Sequence, residues 1–315
     1  MNLRARLMAV LAAAVLADVC VMGGCSRQPA APPLGIDAQL AAMVPREATI
    51  LGGFRMDRIR TSPLYEEYFR GRLPMGGDTA RGLMQFQEQI DEVLVAVVER
   101  DSLVLAKGRL DKAAVEAKLR EAKAPAATVG GKPGFEQNGV AVVLLDGGYA
   151  LAGPKARVED ALTRLGKNVV LPARFFQTAQ SMPAASHMWV ISVGRLPVLE
   201  LPERSNLANL PRALENVELA KMNADLSNGI KMSAAATCTT EPDAKQIHTL
   251  LRGVIGMARL STPTGKPELM KVFDRIQIAQ KERTVTLDAS LPPEMIDELA
   301  GTFGLRERVR PREAR

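Results

Sequence analysis

From Ala48 onward, short apolar runs of strand length alternate with longer stretches whose apolar residues return every three or four positions. The first pattern puts one face of a strand in a core; the second puts one stripe of a helix there. Residues 48–56 predict a strand. Thr61-Ser62-Pro63-Leu64 predicts a helix start, with hydroxyls to cap free N–H groups and proline in the first turn. Residues 93–98 and 103–107 predict two strands turning at Arg100-Asp101-Ser102. Residues 111–122 predict a helix with Ala114, Val115, Leu119 and Ala122 on its apolar stripe. A loop holding Gly131-Lys132-Pro133 follows, then a hairpin of 140–145 and 149–152 that turns at Asp146-Gly147-Gly148. Residues 158–165 close this half as a helix.

The same order then returns. Residues 187–193, with Trp189, predict a strand, and 207–214 a short helical piece. Residues 217–226 and 230–239 predict a hairpin around Asn228-Gly229. Residues 243–260 predict a helix with Ala244, Ile247, Leu251, Val254, Ile255 and Ala258 on one face. A second Gly-Lys-Pro, at Gly265-Lys266-Pro267, precedes a hairpin of 276–279 and 284–289, and 294–303 predicts a closing helix. The repeated order and the paired Gly-Lys-Pro loops predict an α+β fold made of two degenerate repeats, 48–180 and 181–304. Strand alternation predicts mainly antiparallel sheet with helices on one face.

The first 25 residues follow another pattern. Arg4 and Arg6 precede ten apolar residues, Leu7 to Leu16, and the segment ends in Met22-Gly23-Gly24-Cys25. A basic start, a short apolar run and small residues before a cut are the layout of a secretory signal. Ten apolar residues, with Asp18 soon after, are too few to span a bilayer, which takes about 20. Met22-Gly23-Gly24-Cys25 resembles the lipobox of bacterial lipoproteins. That resemblance implies a signal peptide over 1–24 and a mature N-terminus at Cys25 carrying fatty-acyl chains, palmitate among them. It also implies, through Ser26, placement in the outer membrane facing the periplasm. Ordinary secretory cleavage and a later start codon are the competing readings of the same residues. Residues 25–47 then predict the lipidated cysteine and a tether, with 26–36, SRQPAAPPLGI, as its proline-rich spacer.

Charge narrows the partners. The formal net charge is +6, but the last ten residues hold five Arg and two Glu. The high pI therefore belongs to a basic tail, 305–315, more than to a face of the body, so it argues only weakly for nucleic acid, and none is expected as a partner. Arg306, Arg308, Arg310, Arg312 and Arg315 are candidates for contact with an anionic lipid or wall polymer. Of three cysteines, Cys20 leaves with the leader and Cys25 is acylated, so Cys238 has no partner for a disulfide. A zinc site built from several cysteines is excluded too.

Candidate chemistry is sparse. Each Gly-Lys-Pro lacks the first glycine of a phosphate loop, and its proline has no N–H to face a phosphate, so a rigid loop is the expected role. Cys238 shares the apolar face of its strand with Ile230, Met232, Ala234 and Ala236, which predicts a buried thiol. His187 and His248 are the only histidines, and a Cys238–His248 pair is the one thiol–imidazole combination available. Tyr65, Tyr68 and Phe69 are expected in the core. No Gly-x-Ser-x-Gly elbow or EF-hand loop occurs. No cofactor and no metal are expected. The sequence predicts a non-catalytic interaction or scaffold module, anchored to the membrane by its lipid and binding another envelope protein or a wall polymer. A carrier or sensor of an apolar ligand is the alternative, with 14 Met to shape a pliable core. A hydrolase with an unrecognised Ser and carboxylate site ranks third.

Overall fold

The computed structural model describes residues 33–70, 86–167, 171–194, 213–260, 262 and 267–296. They build one sheet of 12 strands in the order β11-β12-β10-β9-β8-β1-β2-β3-β7-β6-β5-β4. The strands of the first half are β1 (Ile50–Arg55), β2 (Ile90–Val98), β3 (Asp101–Gly108), β4 (Ala126–Val129), β5 (Lys132–Gln137), β6 (Val140–Leu145) and β7 (Tyr149–Pro154). Those of the second are β8 (Met188–Val193), β9 (Val217–Asp225), β10 (Ile230–Cys238), β11 (Ile276–Lys281) and β12 (Thr284–Leu291). The helices are α1 (Ala38–Met43), α2 (Met56–Ile59), α3 (Lys112–Glu121), α4 (Lys155–Thr163), α5 (Ala173–Gln180), α6 (Glu241–Leu260) and α7 (Pro267–Asp274). Every neighbouring pair of strands is antiparallel. The fold is α+β.

The halves meet at β1 and β8, paired from Ile50↔Ser192 to Phe54↔Met188. Outward from that seam, each half runs first, second, third, last and last-but-one strand: β1-β2-β3-β7-β6 and β8-β9-β10-β12-β11. Two such units joined through antiparallel first strands are related by an approximate two-fold axis normal to the sheet. Equivalent faces therefore lie on the same side. The packing agrees: Val115 of α3 is buried with Val104, Ala106 and Leu144, while Ala244 and Ile247 of α6 are buried with Cys238 and Val285. Strand register places both sets on one face.

Helix caps follow the sequence. Asp111 accepts the Ala114 N–H at 3.1 Å at the start of α3. At the start of α6, Thr240 and Asp243 exchange bonds, Thr240 N–H to Asp243 at 3.2 Å and Asp243 N–H to Thr240 Oγ1 at 3.3 Å. The expected helix start at 61–64 is displaced. One-turn α2 comes before it, a π-turn over Tyr65–Phe69 comes after it, and Ser62 Oγ donates to Leu226 O at 2.7 Å. The expected helix at 207–214 is described only at 213–214, and that at 294–303 only as far as 296, with the remainder outside the described residues.

Three further features depart from the sequence reading. The first half has an extra hairpin, β4–β5, whose Pro133 lies in β5, whereas Pro267 opens α7. The Gly-Lys-Pro segments are therefore not equivalent positions, and the repeat rests on strand order. Gly265 and Lys266 lie outside the described residues. Next, the long helices α3 and α6 share one face, but α1, α4 and α5 cover the other side of the central strands. There Leu40, Met43, Val158, Ala161, Phe175 and Ala179 pack on Leu51, Leu94, Leu105 and Trp189. Finally, 33–47 is not tether. Leu34, Ile36, Leu40, Ala41, Met43 and Val44 are all buried in this core. Their hydrophobic side chains have a groove to fill, and Asp37 caps α1 by accepting from Gln39 N–H and Leu40 N–H at 2.9 and 3.1 Å.

Candidate functional site

At one end of the central strands a polar row crosses the sheet: Arg55 of β1 opposite Glu92 of β2, Glu92 opposite Lys107 of β3, Lys107 opposite Tyr149 of β7. Asp37 closes over it. Its backbone N–H reaches both Glu92 oxygens, at 3.3 and 3.2 Å. Its carboxylate pairs with Lys107 and accepts from Tyr149 OH at 3.2 and 3.3 Å. Arg55 donates to Gly35 O at 3.2 Å and pairs with Asp57 at 2.8 Å. Thus four strands hold the segment that leads to the N-terminus, through charge-assisted bonds to its backbone and to its helix cap.

The electrostatics divide this cluster in two. Glu92 is buried, and burial raises its carboxyl to about 7 against the pull of Arg55. Burial also acts to raise Asp37, but the bonds from Lys107 and from the Leu40 and Gln39 N–H groups bring it below the usual carboxylate range. Tyr149 is raised by burial and by the Asp37 charge. The arrangement is a latch in which Glu92 is half-protonated near neutrality while Asp37 stays ionised. Protonated Glu92 is favoured in the fold, so its stabilisation is complete below pH 4.5, declines as pH rises, and is gone above about 7. Glu92→Gln keeps an acceptor and removes the titration. It should therefore match the wild type near pH 4.5 and exceed it at pH 8 by on the order of 2–3 kcal/mol. Urea unfolding of both proteins at the two pH values checks this; equal stabilities at pH 8 would contradict it.

The sequence reading missed this row. Its signal was present: Glu92 stands inside an apolar strand, and period two puts it on the buried face with Leu94 and Ala96.

Other expected residues have clear places. Cys25 and Arg306, Arg308, Arg310, Arg312 and Arg315 lie outside the described residues. Cys238 is fully buried, and burial raises its thiol. No hydrogen bond joins it to His248 among the described residues. Cys238→Ala should cost about 1 kcal/mol as a small cavity, and a bulky thiol reagent should modify the native protein slowly. Fast modification without unfolding would contradict the placement. His187 is buried and lowered by burial, and its Nδ1 accepts the Leu226 N–H at 3.3 Å, so it works as a neutral bracket between strands. Tyr65 is core, with Tyr68 and Phe69 packed against it. Lys132 and Pro133 line an open cavity of about 350 Å³ with Gln39, Lys112 and Asp146. A second, of about 530 Å³, lies between α6 and β11, lined by Arg252, Ile255, Gly256, Arg259, Ile276 and Ile278. Among the described residues, no three His, Cys, Asp or Glu side chains converge as a metal site. None of the described helices is long and apolar enough to cross a membrane.

No family model matches the chain, and no curated protein matches it. Two solved structures of TP0453, crystal forms I and III, superpose with TM-scores of 0.51 and 0.52. Their identities are 12% and 11%, and each alignment covers 85% of this chain and 98% of that one. The likeness establishes the fold alone.

Proposed function

We propose that this chain is an envelope lipoprotein, acylated at Cys25, whose twelve-stranded body is a non-catalytic interaction module held close to a membrane. The leader ending in Met22-Gly23-Gly24-Cys25 is the observation that carries the reading. The latch gives it mechanical sense. Eight residues, 26–33, separate Cys25 from Leu34, the first buried side chain among the described residues. Eight residues can reach at most about 28 Å, which limits how far Leu34 can stand from an acylated Cys25. A tether running to residue 47 would let the body wander further and turn freely. The acyl chains supply the affinity, with two or more needed for stable anchoring. The tail arginines add attraction to an anionic surface. Ser26 favours the periplasmic side of the outer membrane. Fractionation of a bacterial host expressing the full chain tests the placement. Wild type should pellet with outer membranes, and Cys25→Ser should move to the soluble or inner-membrane fractions. Wild type found in the soluble fraction would overturn the reading.

A further inference from the structure

The two halves differ at their outer edges. In the first half, β6 has β5 on its outer side, with register Phe135↔Val142. Phe135 is buried, lies on the face that α3 covers, and carries the Arg120 guanidinium 5.9 Å above its ring. In the second half, β11 stands where β6 stands. Among the described residues β11 pairs only with β12, and the outer backbone groups of Ile276–Lys281 face no strand. The space that Phe135 fills in the first half corresponds here to the open 530 Å³ groove between α6 and β11. Ile276 and Ile278 line it from β11, and Arg252, Ile255, Gly256 and Arg259 line it from α6. The Arg259 Nε is buried with no hydrogen-bond partner, although the group pairs with Asp274 at 2.9 Å.

We infer that β11 is a docking edge for an extended segment of another protein, which adds a thirteenth strand and sets into the groove an aromatic side chain with a carboxylate two residues away on the same face. Three observations support it. The internal repeat supplies the template, because the equivalent edge is already occupied by a strand carrying Phe135 on the helix-covered face. Arg252 and Arg259 favour an acidic segment, and an arginine over an aromatic ring is the contact the first half makes. Finally, β11 carries few of the devices that protect free edges. Ile276–Lys281 has no proline and no bulge, and its one charge, Lys281, stands at its end, whereas the opposite edge, β4, is only four residues long. Main-chain bonds would give affinity, and the groove would choose the side chain. The basic tail of this chain has the wrong charge for the site.

This names the partner class of the scaffold reading and rests on it, but the binding needs no lipid, so the two fail separately. The probe is a phage-displayed library of random dodecapeptides selected on the full chain carrying Cys25→Ser. Selected peptides should share an aromatic residue with Asp or Glu two positions away. Bound peptide should slow amide exchange across Ile276–Lys281. Ile278→Asp and, at an exposed position, Arg252→Glu should each weaken binding at least tenfold, with Leu260→Ser as the unaffected control. Three results would overturn the inference: no enriched sequence, enriched peptides that ignore both variants, or a concentration-dependent dimer lost in both, which would make the occupant a second copy.

Discussion

Trp189→Ala should destabilise the whole body by about 3–5 kcal/mol, and Gly53→Leu should be at least as damaging. The seam between the halves explains the size. Gly53 of β1 lies directly opposite Trp189 of β8, and a Cβ on Gly53 would sit 2.3 Å from Trp189 Cε2. The indole therefore occupies the space a side chain would take, and it is among the largest fully buried groups. Removing it leaves a cavity where β1 and β8 join; enlarging Gly53 drives it out. Because one sheet and one core cross this seam, unfolding should stay a single transition reporting on both halves. Thermal melts followed by tryptophan-independent circular dichroism check this. A loss below 1 kcal/mol, or two separate transitions with only one shifted, would contradict the joined sheet.

Leu40→Ala should cost about 2–5 kcal/mol, and Leu40→Asp should prevent folding at ordinary temperature. Leu40 is wholly buried against the central strands, beside Met43, Val44 and Ile36. The contrast is with a true tether, where either substitution would change stability by a few tenths of a kcal/mol at most. Denaturant unfolding of the mature chain, from residue 25, measures it. An unchanged midpoint for Leu40→Ala would return residues 33–44 to the tether.

The legible parts of this fold were those written in a strong period. Strands β2, β3, β9 and β10 alternate or run apolar over eight or nine residues, and their turns carry Asp or Asn-Gly signals. Helix α6, 20 residues long, repeats its stripe often enough to be unmistakable. Short elements escape that logic. Helix α1 has six residues, less than two turns, and prolines before it suggest an extended spacer. Hairpin β4–β5 is rich in glycine and contains Pro133, which an edge region tolerates because the missing N–H need not join a ladder. Gly-Lys-Pro misled for a related reason: its proline lies in a strand in one half and opens a helix in the other. The Glu92 latch was only half visible. Period two could place its carboxyl on a buried face, but its bond to Asp37 spans 55 residues of sequence.

Acylation of Cys25 is the point on which the functional account turns, and labelling with an alkyne fatty acid in a bacterial host measures it directly. The wild-type chain should incorporate the label and migrate as the form lacking residues 1–24, while Cys25→Ser should incorporate none. Label retained by Cys25→Ser, or an unlabelled wild-type chain cleaved elsewhere, would contradict the account.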